Sequence, residues 1–266
     1  MNSSLPVNCY IRVIQHNVNN QDIAQQIVLQ QALTTHADIV LIQEPHLLSR
    51  KTWITTTHTA FHLITPQPST LSDTTVRPRV LAYVRKTCTV EFTPRYDLCN
   101  DPDMQIIEFF GVEPFYVINV YNEKQQATTT ATALMAATAA TRATTAVNSP
   151  QRSTSLASKG IDSSNGLQQP QQRRYTTQRL LQHIRPDKPA IIAGDFNLHH
   201  PRWNAAADRQ KASRAADFVS WLDNEKATLL INSEEVNLRG GTFHRSNLKS
   251  TSIIDLAFYT SFRKLV

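Results

Sequence analysis

Apolar residues along this chain gather in short runs that end on polar groups. Tyr10 to Gln15 is one such run, giving way to His16, Asn17, Val18, Asn19 and Asn20. Its length and character predict a buried strand that delivers polar side chains at its C-terminal end. Ile23 and Ile27, then Leu29 and Leu33, stand four residues apart. That spacing predicts a helix with these four on one broad apolar face. Ile39 to Ile42 reads as a second strand running into Gln43 and Glu44. Pro45 cannot donate a ladder hydrogen bond and ends it. Val80 to Arg85, Gln105 to Phe110 and Phe115 to Val120 predict further strands, the last leading into Tyr121 and Asn122. Pro189 to Ala193 is another, ending in Gly194, Asp195, Phe196 and Asn197. Arg173 to Ile184 and Ala212 to Leu222 have helical periodicity, and Leu229 to Ile231, Gly241 to Phe243 and Ser252 to Tyr259 close the pattern as strands.

Buried strands on both sides of helices predict an α/β or α+β class with two sheets that need cover. One stretch breaks the rhythm. From Ala127 to Ala146, 17 of 20 residues are Ala or Thr, and Ser-, Gln- and Pro-containing sequence continues to about Gln172. So few large apolar residues cannot offset the entropy of ordering. The expected organisation is one domain over residues 8–266, carrying a disordered low-complexity insertion at 126–172.

Composition narrows the setting. At 266 residues, 41% of them hydrophobic, the chain suits one large domain that needs no disulfide or metal to fold. An excess of 27 Lys and Arg over 21 Asp and Glu gives +6, a charge compatible with a polyanionic partner or with plain solubility. The three cysteines, Cys9, Cys88 and Cys99, are odd in number and irregular in spacing. They argue for a reducing compartment and against a disulfide framework or zinc site. The N-terminus lacks a signal-peptide pattern and no apolar run is long enough to cross a bilayer. An intracellular location, the nucleus included, follows as the expectation.

Candidate chemistry sits where strands end: Asn17 and Asn19, Glu44, Tyr121 and Asn122, Asp195 and Asn197, and Asp255 inside an apolar run. No Ser or Cys stands in a nucleophile setting. Hard oxygen ligands of this kind suit Mg²⁺ or Mn²⁺, and phosphodiester cleavage needs an activated water plus neutralisation of charge on the phosphate. Each residue alone has a plainer reading, as a solvated strand end or a turn. Asp255 differs, because a charge inside an apolar strand needs a partner in any reading.

Gly194-Asp195-Phe196-Asn197 after an apolar strand, with Gln43-Glu44 upstream and Ser252-Ile253-Ile254-Asp255 downstream, resembles the endonuclease/exonuclease/phosphatase superfamily. The resemblance runs from about Tyr10 to Tyr259, apart from the Ala/Thr stretch. The continuation Leu198-His199-His200-Pro201-Arg202-Trp203, and Thr242-Phe243 ahead of Ser252, are similar to endonuclease domains of non-LTR (LINE-like) retrotransposons. The resemblance implies a four-layer sandwich of two β-sheets flanked by helices, and a Mg²⁺- or Mn²⁺-dependent endonuclease that nicks DNA. It implies metal binding by Glu44 and Asn17, with Asn19 beside them. Asp195 would position or deprotonate the attacking water, Asn197 would orient phosphate and water, and Tyr121 would contact phosphate. Asp255 would hold a catalytic histidine. Asn122, His199, His200, Thr242 and Ser252 fall among the substrate contacts, the two histidines also shaping their loop.

The family pattern continues to a Ser-Asp-His motif downstream of that aspartate. Eleven residues follow Asp255 and none is histidine, so the expectation is a domain truncated before its last catalytic residue. Two other readings stay open: an inactive fragment that at most binds nucleic acid, and a phosphoesterase acting on a small-molecule or lipid phosphate. The His-His-Pro-Arg-Trp sequence argues against the latter.

Overall fold

The computed structural model describes residues 11–48, 54–66, 77–123, 176–183, 187–204, 207–230, 243–244, 251–252 and 254–261. The expected insertion at 126–172, Thr242 and Cys9 lie outside these residues.

The first sheet has four strands: β1 (Val13–Asn17), β2 (Ile39–Gln43), β3 (Phe61–Ile64) and β4 (Val80–Arg85), in the order β1-β2-β4-β3. β1 and β2 run parallel, and the remaining pairs antiparallel. The connection between the parallel pair is helix α1 (Asp22–Thr34). The second sheet contains β5 (Phe92–Pro94), β6 (Met104–Phe109), β7 (Phe115–Tyr121), β8 (Ala190–Asp195), β9 (Thr228–Leu229) and β12 (Asp255–Thr260), in the order β5-β6-β7-β8-β12-β9. Its one parallel pair is β7 with β8, and helix α2 (Thr176–His183) precedes β8. Short helices α3 (Arg209–Ser213) and α4 (Ala216–Asn224) lead to β9. β10 (Phe243–His244) and β11 (Thr251–Ser252) pair antiparallel as a separate two-stranded sheet.

Side-chain alternation divides each strand between two cores. Along β2, Val40 and Ile42 pack with Val28, Leu29 and Ala32 of α1, whereas Ile39 and Leu41 pack with Ile107, Phe109 and Val117 of the other sheet. Along β7, Val117 faces the first sheet, and Tyr116, Ile118 and Val120 pack with Leu180, Phe218 and Leu222 from the helices. Helix, sheet, sheet and helix layers result, which is the four-layer sandwich expected.

The helix face differs from the sequence expectation. Ile23 and Ile27 are 73% and 60% exposed. The buried face of α1 is Gln25, Val28, Leu29 and Ala32. Gln25 takes a core position because its amide nitrogen donates to Thr55 Oγ1 at 3.0 Å and to the Tyr83 hydroxyl at 2.7 Å. A satisfied amide is tolerated inside, and it rotates the helix away from the isoleucines. The single helix expected over Ala212 to Leu222 is two, α3 and α4. The strand expected over Ser252 to Tyr259 is likewise split into β11 and β12. Strands β3 and β5 were not anticipated; both are short edge strands.

Candidate active site

Alternation also decides where the polar strand ends point. Gln15 and Asn17 follow Val13 on β1, Asn119 and Tyr121 follow Val117 on β7, and Asp195 follows Ala193 on β8. Val13, Val117 and Ala193 all belong to the core between the sheets. By period two, the polar groups continue that inner face at one rim. Asp255 opens the antiparallel strand β12 directly opposite Asp195.

Glu44 breaks the rule. Strict alternation would turn it outward with Val40 and Ile42. Its backbone has φ 47°, a left-handed conformation uncommon for residues other than glycine. The turn re-aims the side chain, and Glu44 Oε1 accepts a 2.5 Å hydrogen bond from the Tyr121 hydroxyl on the other sheet. Its backbone is held by Glu44 N to Arg79 O at 2.8 Å and Asn20 N to Glu44 O at 2.7 Å. Backbone strain persists where surrounding contacts over-determine it.

Asn17 Nδ2 donates to Asp195 Oδ2 at 2.8 Å, and Asn17 Oδ1 accepts from Asn19 N at 2.9 Å. Asn197 N donates to Asp195 Oδ1 at 3.0 Å. Asn19 and Asn197 both adopt positive φ, near 48°. Burial, then the charge of Asp255, pushes the Asp195 carboxyl from its ordinary 3.8 up to about 7. The Asn17 and Asn197 hydrogen bonds work against this rise, and the Glu44 charge adds to it. Burial and the bond to Glu44 likewise raise the Tyr121 hydroxyl, so it donates as a neutral phenol.

Gly194 is explained by close approach. A Cβ there would lie 1.9 Å from the Val120 carbonyl oxygen, so only glycine lets β7 and β8 pair at this point. Asn122 is buried and committed to backbone groups. Its Nδ2 donates to Phe196 O at 2.7 Å and its Oδ1 accepts from Thr177 N at 3.3 Å. Asn197 Nδ2 in turn donates to Asn122 O at 2.6 Å. His200 packs against Trp203, ring centroids 5.3 Å apart, and its Nδ1 accepts from Arg202 N. Fully buried Trp203 donates to Leu198 O at 3.1 Å and packs near Phe218 and Phe258. His199 is half-buried on the same loop. Ser252 lies on β11, paired with Phe243.

Sequence reasoning missed the supports beneath these residues. Arg79 grips buried Asp103 with two hydrogen bonds, at 2.6 and 2.7 Å, and its guanidinium lies 4.9 Å from the Tyr121 ring centroid. Arg179 reaches Asp101 and Asp103 as well. Gln15, Gln43 and Asn119 form a second support. A signal was present for Asn119: an amide inside an apolar strand must find a partner.

The donor set is oxygen-rich and small. Among the described residues no group of three or more His, Cys, Asp or Glu side chains is placed to hold a metal, so an all-protein cage is absent there. Mg²⁺ is commonly held by one or two carboxylates, waters and a substrate phosphate. Glu44 and the Asn17 amide oxygen fit that more open mode.

Two strand-rich sheets stacked face to face give the chain the fold of the endonuclease/exonuclease/phosphatase superfamily. A family model described as endonuclease-reverse transcriptase matches residues 162–262. The endonuclease domain of TRAS1, a telomere-specific non-LTR retrotransposon, superposes with TM-score 0.55 at 15% identity, over 96% of this chain and 86% of that one. The AP endonuclease LMAP from Leishmania major superposes with TM-score 0.52 at 11% identity, over 94% of this chain and 79% of that one. No curated protein sequence matches the chain. No described helix is long and apolar enough to cross a membrane.

Proposed function

We propose that the chain is a divalent-metal-dependent phosphodiesterase that nicks DNA, of the kind carried by non-LTR retrotransposons. The observation that carries this reading is the convergence of Asn17, Glu44, Tyr121, Asp195 and Asp255 from five strands onto one rim. In this reading Glu44 and Asn17 Oδ1 hold Mg²⁺ or Mn²⁺, with Asn19 shaping the turn beside them. The metal, when bound, neutralises charge on the phosphate. Tyr121 donates its one hydroxyl hydrogen to Glu44 and keeps that carboxylate aimed across the rim; contact with a phosphate oxygen would draw that hydrogen away from Glu44. Asp195, fixed through both carboxylate oxygens by Asn17 and Asn197, takes a proton from the attacking water. A general base works best with a pKa near the working pH, and burial of Asp195 raises its carboxyl toward that range in the metal-free chain. Asn197 orients water and phosphate from the loop that Trp203 and His200 pack. DNA as substrate is supported by the family match and by the likeness to the TRAS1 endonuclease domain.

Plasmid nicking tests this. Supercoiled DNA with Mg²⁺ should convert to open circles, EDTA should stop the conversion, and Glu44→Ala or Asp195→Ala should each lower the rate by about 10² or more. Unchanged nicking in both variants would remove the site assignment. Turnover of a small phosphodiester in preference to DNA would remove the substrate assignment.

A further inference from the structure

Beneath the rim runs a chain of three amides whose direction is set from its buried end. Asn119 Nδ2 donates to Leu81 O at 2.9 Å and to Ile42 O at 3.2 Å. Carbonyl oxygens only accept, so the Asn119 nitrogen must face them and its oxygen must face away. Gln43 Nε2 donates to that oxygen at 2.6 Å. This turns Gln43 Oε1 toward Gln15, whose Nε2 donates to it at 2.6 Å. The second hydrogen on Gln15 Nε2 then goes to Asp255 Oδ1 at 3.0 Å. Every step is forced by the one before, and none of the three amides is free to flip alone.

The placement of these amides is as telling as their order. Gln15 lies two residues before Asn17, Gln43 one before Glu44, and Asn119 two before Tyr121. The chain crosses between the sheets directly under the residues that form the rim. A reversed Gln15 would set its oxygen against the Asp255 carboxylate, which is repulsive. Bonds of the observed polarity reinforce each other in a low-dielectric interior.

We infer that Gln15 is a positioning residue for Asp255, the last link of a directional Asn119–Gln43–Gln15 relay that presents an N–H to the carboxylate and holds it in place at the catalytic rim. The inference rests on Asp255 belonging to that rim, as the proposed function has it. Removing the amide would leave Asp255 opposite Asp195 with one less hydrogen bond to fix its rotamer.

The test reads the amides directly by NMR of the full chain. The side-chain NH₂ signals of Gln15, Gln43 and Asn119 should be protected from solvent exchange. Asp255→Asn should move the Gln15 pair strongly and leave the Asn119 pair in place. A Gln15 pair that exchanges like a solvated amide, or that ignores Asp255→Asn, overturns the relay whether or not the chain cuts DNA; the exchange measurement needs no variant. In the nicking assay, Gln15→Leu should lower kcat about 10–100-fold, the usual range for groups that orient a site ligand. KM should stay within about twofold, and the thermal transition should remain cooperative. Unchanged kcat in a folded Gln15→Leu chain overturns the positioning role. If the parent chain shows no turnover, the nuclease reading fails by itself and the NMR arms alone decide the relay.

Discussion

At the scale of single residues, the rim is a set of local compromises. Asp195 binds its proton more tightly when folded than its ordinary value of 3.8 allows, holding it up to about 7. The contribution of this one carboxyl to native stability is therefore complete below about pH 4 and is lost as pH rises through about 7. Asparagine does not titrate. Asp195→Asn should consequently raise the melting temperature above pH 7 in EDTA, with a gain of about 1–2 kcal/mol, and the gain should vanish toward pH 4. Melting curves that stay parallel across this range would contradict it. Gly194→Ala tests the opposite kind of constraint. Its methyl would meet Val120 O at 1.9 Å, and separating two paired strands should cost on the order of 3 kcal/mol in urea unfolding. The sequence displayed Glu44 and Asp195 because each follows an apolar run. It could not display how Glu44 reaches Tyr121, since that depends on one backbone torsion of 47°. Gln15 and Arg79 were equally hidden, because their roles arise only when two sheets face each other.

At the scale of elements, patterns of burial were more legible than patterns of face. Strands buried on both sides read as largely apolar runs, so β2, β4, β6, β7 and β8 are legible in the sequence. Edge strands β3 and β5 lack that signature. Helix α1 shows the limit of periodicity, since Gln25 occupies the core and Ile23 and Ile27 face outward. Ile23→Lys with Ile27→Lys should therefore shift stability by no more than about 0.5 kcal/mol per site, whereas Leu29→Ala should lose about 2–5 kcal/mol. Equal losses from both would place the isoleucines inside. The loop after β8 depends on Trp203, which is fully buried among Phe196, Phe218 and Phe258. Trp203→Ala should cost about 3–5 kcal/mol, read by denaturant titration.

At the scale of the whole molecule, the parallel pairing of β7 with β8 demands a crossover, and residues 124–175 lie along it. Thr177 N bonds Asn122 Oδ1 across 55 positions of sequence. Loop closure changes by only about 0.6 kcal/mol per doubling of length. Replacing residues 126–172 by a linker of about six residues shortens that loop about fourfold, so it should stabilise the domain by about 1 kcal/mol and leave nicking intact. Loss of folding would show that the stretch contributes contacts of its own. The same junction divides the chemistry between two pieces of chain. Asn17, Glu44 and Tyr121 precede it, and Asp195 and Asp255 follow it. A chain severed there carries no complete site on either half. Produced separately, the halves would cut DNA only after finding each other, so the rate would scale with the product of their concentrations. Fused to two interacting proteins, they would form a proximity reporter that leaves its record as a nick.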